Sequence, residues 1–217
     1  MSAVGNVRAF VAIELDAPLR EAIGELQARL RPRLGGIRLV RPEGIHLTLR
    51  FLGDTSPAQV ETLRPRLAAA AATCPVAEAR VAGLGTFPER GSPRVLWLGL
   101  EVPPPVLDLQ RACERAARTA GFEREERPFR AHLTLGRWRE RAPIPDLPPA
   151  DLGATRLDAL VLFRSDLQPG GAVYTPLARF PLAGQGGTVS AVTAGAQPRA
   201  GPAGQRAPDG RPRRPLS

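Results

Sequence analysis

The chain contains two histidines, and both lie in the same four-residue sequence: His46-Leu47-Thr48-Leu49 and His132-Leu133-Thr134-Leu135. Histidine is the side chain whose ordinary pKa lies nearest neutral pH, so it can donate or accept a proton there. Successive side chains of a β-strand point to opposite faces of the sheet. Each copy therefore predicts a strand with its histidine and threonine on one face and its leucines on the other. Two such strands facing each other would combine two proton-transfer groups with two hydroxyl donors.

Displacement at a phosphodiester is chemistry that this arrangement suits. The attacking and leaving oxygens lie roughly in line through phosphorus, so one group must deprotonate the nucleophile while another protonates the leaving oxygen from the opposite side. We therefore predict His46 and His132 as the acid–base pair, although the residues alone do not say which is the acid. Thr48 and Thr134 could donate to the non-bridging oxygens, and Arg137 could stabilise the charge of the transition state.

Other interpretations of these residues are weaker but open. A catalytic zinc site needs about three protein ligands, and neither motif has a second His, Cys or Glu at local spacing, so we predict no metal. β-Propensity alone would also account for the threonines. A solvated strand end would account for Arg137.

The net charge is +9, and every basic residue is arginine, whose planar guanidinium suits phosphate oxygens. A GC-rich genome would produce the same composition. The segment 184–217 has five arginines against Asp209 and so carries +4 of this charge. The remaining charge is compatible with an anionic substrate but does not establish one.

Length and composition predict two units: a domain of two small lobes over 1–183, and a disordered Gly/Pro/Ala/Arg-rich tail over 184–217. The sequence from Met1 onward has no long apolar stretch after its first charged residue, so we expect no secretory signal, and no apolar run approaches the ~20 residues of a membrane span. Cys74 and Cys113 are isolated, which is typical of a reducing cytoplasm, where we place the protein.

The order of predicted elements favours an α+β fold with mainly antiparallel sheet. Three helices are expected: one after an Asp16 cap, one after a Ser56–Gln59 capping box with a kink or late start at Pro65, and one over Pro105–Ala120 ended by Gly121. Strands are predicted over Arg8–Leu15, Ile45–Phe51, Val76–Leu84, Val95–Leu100, Phe129–Leu135, Leu157–Phe163 and Val173–Leu182. In the first motif strand, Phe51 is expected beside the leucines and Arg50 beside His46.

The paired motifs and their flanks resemble the 2H phosphoesterase superfamily, and within it the RNA 2′,3′-cyclic phosphodiesterases, also called 2′–5′ RNA ligases. One such motif is weak evidence, whereas two with these flanks and this spacing are strong. The resemblance is carried by segments 8–13, 42–53, 94–100, 129–137, 162–165 and 171–174.

This resemblance implies a bilobal, pseudo-symmetric fold with a central cleft and a reaction without metal or cofactor. It implies that His46 is the general acid toward the 3′ oxygen and His132 the general base for water, which gives a 2′-phosphate. The expected partner is RNA with 2′,3′-cyclic phosphate ends, such as tRNA fragments, bound by a monomer. The open alternatives are 2′–5′ ligation of tRNA halves, a small cyclic nucleotide substrate, or a non-catalytic RNA-binding module.

Overall fold

The computed structural model describes residues 5–168 and 171–184. The predicted tail lies outside these ranges except for Gly184. The described ranges contain nine strands and three α-helices. The strands are β1 (Val7–Glu14), β2 (Ile37–Leu39), β3 (His46–Thr55), β4 (Ala77–Phe87), β5 (Val95–Glu101), β6 (His132–Trp138), β7 (Asp151–Leu157), β8 (Ala159–Gln168) and β9 (Gly171–Pro181). The helices are α1 (Ala17–Leu30), α2 (Pro57–Thr73) and α3 (Pro104–Thr119).

All nine strands belong to one sheet in the order β7-β4-β5-β6-β3-β1-β8-β9, with β2 added to β6. Every pairing between these strands is antiparallel. The predicted α+β class with mainly antiparallel sheet is therefore confirmed. The two predicted lobes are the halves of this continuous sheet, and the two motif strands meet at its middle.

The two halves are arranged alike about that middle. Outward from β3 come β1, β8 and β9, and outward from β6 come β5, β4 and β7. Leu47 on β3 pairs with Leu133 on β6, and both are the second residue of their motif. A two-fold pseudo-symmetry axis therefore passes through this pair, which accounts for the duplicated motif.

The helices cover one face of the sheet and form the main core with it. The side chain of Asp16 accepts from the Leu19 backbone at 3.0 Å and caps α1. Ser56 and Gln59 form the predicted capping box of α2. That helix begins at Pro57 and runs through Pro65, so the predicted late start is wrong. Pro65 is exposed, where water can hydrate the carbonyl it leaves unbonded.

Several strand predictions need correction. The second motif strand begins at His132 rather than at Phe129. The short strand β2 and the strand β7 were not predicted. Strand β7 has three exposed residues among its first four, so it lacks the clear alternation that marks a half-buried strand. No helix in the described part of the chain is long and apolar enough to cross a membrane.

Candidate active site

The two motifs lie side by side on β3 and β6 and present their polar residues to the face opposite the helices. Their leucines are at most 3% exposed and belong to the main core, whereas both histidines and both threonines are only partly buried. The alternation within each motif is therefore as predicted. Antiparallel pairing at Leu47 and Leu133 directs His46 toward Thr134 and Thr48 toward His132.

Each histidine ring is oriented by the same local hydrogen bond. The Nδ1 of His46 lies 2.9 Å from the Gly44 carbonyl, and the Nδ1 of His132 lies 2.7 Å from the Arg130 carbonyl. A carbonyl can only accept, so Nδ1 carries the hydrogen and donates it. In the neutral ring the lone pair is then on Nε2, which is left for proton transfer.

Aromatic side chains enclose the first histidine. Phe10 stacks on the His46 ring with centroids 4.6 Å apart, and Tyr174 meets it edge-on at 5.2 Å. Phe10 and Tyr174 belong to a small apolar cluster on the site face, separate from the main core. On the other half, Phe87 meets the His132 ring edge-on at 5.1 Å.

This environment lowers the pKa of both histidines. Burial is the main cause that lowers the pKa of His46 to about 4; the bond to Gly44 opposes it, and the charges of Arg137 and His132 add to it. The pKa of His132 is lowered chiefly by burial and further by the charges of Arg137 and Arg130. Both rings are therefore neutral in the unliganded protein at neutral pH. A bound anion would offset the burial and the arginine charge and favour protonation.

A cavity of about 1230 Å³ opens beside the motifs and is lined by His46, Thr48, Thr134 and Arg137. Four of the predicted site residues thus share one cavity. His132 is outside that lining, two residues before Thr134 on the same face of β6. The charged side chains lining the cavity are one glutamate, Glu43, and five arginines: Arg8, Arg38, Arg41, Arg137 and Arg139.

A β-bulge at the end of each motif sets which of the next residues reach the site. The pairing of β1 with β3 skips Leu49, since Ala12 pairs with Thr48 and Val11 with Arg50. The pairing of β5 with β6 skips Leu135 in the same way. Leu49 and Leu135 are both the fourth residue of their motif, so the bulges are equivalent. Each puts two consecutive residues on the helix face and reverses the alternation after them, which in β3 holds as far as a second bulge at Leu52.

The bulge overturns the prediction for Arg50 and Phe51. Arg50 points to the helix face, where its Nε lies 2.6 Å from Glu114 on α3 and only 8% of the side chain is exposed. Phe51 is 54% exposed and lines the cavity. Strict alternation also would have placed Arg137, five residues after His132, on the leucine face. The bulge at Leu135 brings it to the cavity instead.

Phe51 and Arg137 are thus counterparts, each five residues after its histidine. Arg137 was predicted as a site residue but Phe51 was not, although the two occupy the same position when the motifs are aligned. Phe10 and Tyr174 were not predicted either, because their contact with His46 depends on strand pairings that local spacing does not reveal.

Comparison with known proteins identifies the family to which this chain belongs. Residues 13–97 match the model of the family described as LigT-like phosphoesterases. A Methanothermobacter thermautotrophicus protein named RNA 2′,3′-cyclic phosphodiesterase is 33% identical over 184 residues, which are 82% of this chain and all of that protein. The chain belongs to the LigT-like phosphoesterases.

Other LigT-like phosphoesterases agree over the same extent. A Thermus thermophilus protein, also named RNA 2′,3′-cyclic phosphodiesterase, is 35% identical over 88% of this chain and 98% of its own length. The crystal structure of E. coli LigT complexed with 3′-AMP superposes with a TM-score of 0.71 at 28% identity, covering 82% of this chain and 98% of that one. The family resemblance inferred from the motifs is therefore confirmed.

Proposed function

We propose that this protein hydrolyses 2′,3′-cyclic phosphodiester ends of RNA to 2′-phosphomonoesters by two-histidine acid–base catalysis that needs no metal ion. One observation carries the proposal. The two copies of the histidine motif are paired at equivalent residues, and each histidine ring is held by a hydrogen bond from Nδ1 to a backbone carbonyl, which leaves Nε2 for proton transfer. Its membership in a family whose relatives bear the name RNA 2′,3′-cyclic phosphodiesterase supports it further.

In this reaction each histidine transfers one proton. His132 Nε2 removes a proton from water as the water oxygen bonds to phosphorus. The bond from phosphorus to O3′ breaks, and His46 donates its proton to that oxygen. The products are a 2′-phosphate and a free 3′-hydroxyl. Since His46 is neutral in the unliganded protein, it takes up its proton as the phosphate binds.

The remaining predicted residues act on the phosphate. Thr48 and Thr134 line the cavity on either side of the motif pair and donate their hydroxyls to the non-bridging oxygens. Arg137 lowers the pKa of both histidines through its charge, which requires it to lie near both rings. The same charge stabilises the extra negative charge of the transition state.

RNA is the substrate class that the cavity favours. Five arginines and one glutamate give the lining a positive potential suited to phosphates. Phe51 offers an exposed ring on which a terminal base can stack. E. coli LigT forms a complex with 3′-AMP, which supports a nucleotide-containing substrate for this protein. We further propose that the enzyme is a cytoplasmic monomer, in keeping with its two buried free thiols, Cys74 and Cys113.

Product analysis tests this function. An oligonucleotide ending in a 2′,3′-cyclic phosphate is incubated with the protein in EDTA, and 2′- and 3′-phosphate products are resolved by 31P NMR. Turnover to the 2′-phosphate is expected. A 3′-phosphate product would overturn the direction of ring opening, and full dependence on an added divalent metal would overturn the mechanism.

Two further measurements distinguish the alternative functions. Tight RNA binding without turnover, retained in His46→Ala and His132→Ala, would identify a binding module instead. Joining of tRNA halves without ATP, in place of hydrolysis, would identify a ligase.

A further inference from the structure

The two histidines make matching hydrogen bonds, but the first of the two acceptor carbonyls is held by the main chain. Gly44, which accepts from His46, ends a 3-10 turn spanning Pro42–Gly44. Two backbone bonds close this turn: Gly44 donates to Arg41 at 2.9 Å, and Ile45 donates to Pro42 at 3.1 Å. The Gly44 carbonyl therefore has a fixed direction without any help from a side chain.

The acceptor for His132 has no such turn. Residues 128–131 belong to neither a helix nor a strand, and β6 begins only at His132. Instead, the Arg130 side chain is held at two points. Its Nη1 lies 2.6 Å from Oε1 of Glu89, and its guanidinium carbon lies 5.0 Å from the centre of the Phe87 ring. Phe87 is the residue whose ring meets His132 edge-on.

We propose that Glu89 and Arg130 are positioning residues for His132. The ion pair fixes the Arg130 side chain, which holds both the carbonyl that orients the His132 ring and the Phe87 ring that packs against it. Neither residue lines the cavity, so the pair acts through His132 rather than on the substrate. The expected effect on the reaction rate rests on the proposed function, in which His132 is the general base. The expected effect on the orientation of the His132 ring is independent of that function.

The ion pair is suited to mutagenesis because it is exposed. The Arg130 and Glu89 side chains are 54% and 62% exposed, and pairs of this kind contribute little to stability, so the variants should fold. Arg80 and Asp151 form a matched pair at 2.7 Å that is similarly exposed and lies outside the cavity lining. Arg80→Ala is therefore the control for loss of an exposed ion pair.

Ring orientation is measured directly by 15N NMR of the imidazoles. Since the chain has two histidines, the spectrum contains two ring systems, and His46→Gln assigns them. Wild-type His132 is expected as a single neutral tautomer with hydrogen on Nδ1. Arg130→Ala should yield a tautomer mixture at His132 and leave His46 unchanged, whereas Arg80→Ala should change neither. A wild-type His132 signal in Arg130→Ala would overturn the proposal.

Kinetics then show whether the orientation matters to the reaction. Arg130→Ala should lower kcat roughly tenfold with KM within about twofold, because a misplaced base slows the chemical step. Glu89→Ala should lower kcat about threefold, and Glu89→Gln, which keeps the acceptor oxygen, should recover most of that loss. The double variant with both residues changed to Ala should be no slower than Arg130→Ala. Multiplied losses, or a raised KM with unchanged kcat, would overturn the proposal.

The two measurements separate this inference from the proposed function. If the wild type does not hydrolyse the cyclic phosphate, the proposed function fails, and the NMR comparison still decides whether the ion pair orients His132. If the wild type is active and Arg130→Ala matches it in both readouts, the positioning role is refuted while the proposed function stands.

Discussion

Leu47 and Leu133 face each other across adjacent antiparallel strands, and each is the residue that follows a motif histidine. Neighbouring strands lie about 4.7–4.9 Å apart, so the spacing of the two motifs is a property of the sheet backbone. Each histidine is also directed toward the threonine of the other motif. The proposed acid, base and phosphate donors thus come from two strands that cannot separate without breaking the centre of the sheet.

Loss of either histidine should abolish most of the activity. General acid–base groups contribute about 10²–10⁴-fold each, so His46→Ala and His132→Ala should each lower kcat by that factor in single-turnover assays. The pH profile of kcat/KM should lose one limb in each variant with measurable activity. Arg80→Ala serves as the control, and an unchanged rate and profile would remove that histidine from the chemistry.

The depressed pKa of the partly buried His46 ring should make stability depend on pH. Its pKa is about 4 in the folded protein against 6.5 ordinarily, so between these values the unfolded chain binds more protons. Stability should therefore fall as the pH drops from 6.5 toward 4, by about 3 kcal/mol from this residue. Urea unfolding between pH 7 and 4 should show the wild type losing more than His46→Gln. Parallel curves would contradict a depressed pKa.

Phe51 should determine affinity for the base. Stacking on an aromatic side chain is worth about 1–3 kcal/mol, so Phe51→Ala should raise KM for nucleoside 2′,3′-cyclic phosphates about 10–100-fold. The base-free ribose 2′,3′-cyclic phosphate should be hydrolysed equally by both proteins. Ile144→Ala, which truncates an apolar side chain that is 60% exposed outside the cavity lining, is the control. An equal loss on the base-free substrate would argue against stacking.

The ion pair between Arg50 and Glu114 should be important for stability. Removing one partner of a buried pair costs about 3–5 kcal/mol, so Glu114→Gln should destabilise the protein by that order in urea unfolding. Asp151→Asn, in an exposed pair, should cost at most about 1 kcal/mol. Similar small effects of both changes would show that the other partners of the Arg50 guanidinium, the Glu125 carboxylate and the Phe51 and Glu123 carbonyls, suffice without Glu114.

Much of the fold follows from local sequence. The caps at Asp16 and Ser56, the helix end before Gly121 and the burial of the motif leucines depend on residues within a few positions of one another. Short-range rules describe such features well. Strand β2 could not be predicted from local sequence, because its three residues are stabilised by pairing with β6, about a hundred positions away.

Only the part of the site that depends on local sequence could be predicted. The histidines, threonines and Arg137 belong to the repeated motif and its flank, where spacing carries the information. The placement of Phe10 and Tyr174 against His46 required strand order, with β1 and β9 on the same half of the sheet. Arg50 and Phe51 were exchanged because alternation assumes an unbroken ladder, and Leu49 interrupts it.

The single extra residue at Leu49 and at Leu135 also makes these strands sensitive to length in a way that substitutions do not reveal. Inserting one residue after Leu49, with no second bulge to absorb it, would turn the Arg50 guanidinium toward the cavity and press Phe51 into the helix layer. Inserting one residue after Leu135 would likewise withdraw Arg137 from the cavity. Each motif therefore tolerates a change of side chain more readily than an inserted residue between its histidine and the fifth residue after it.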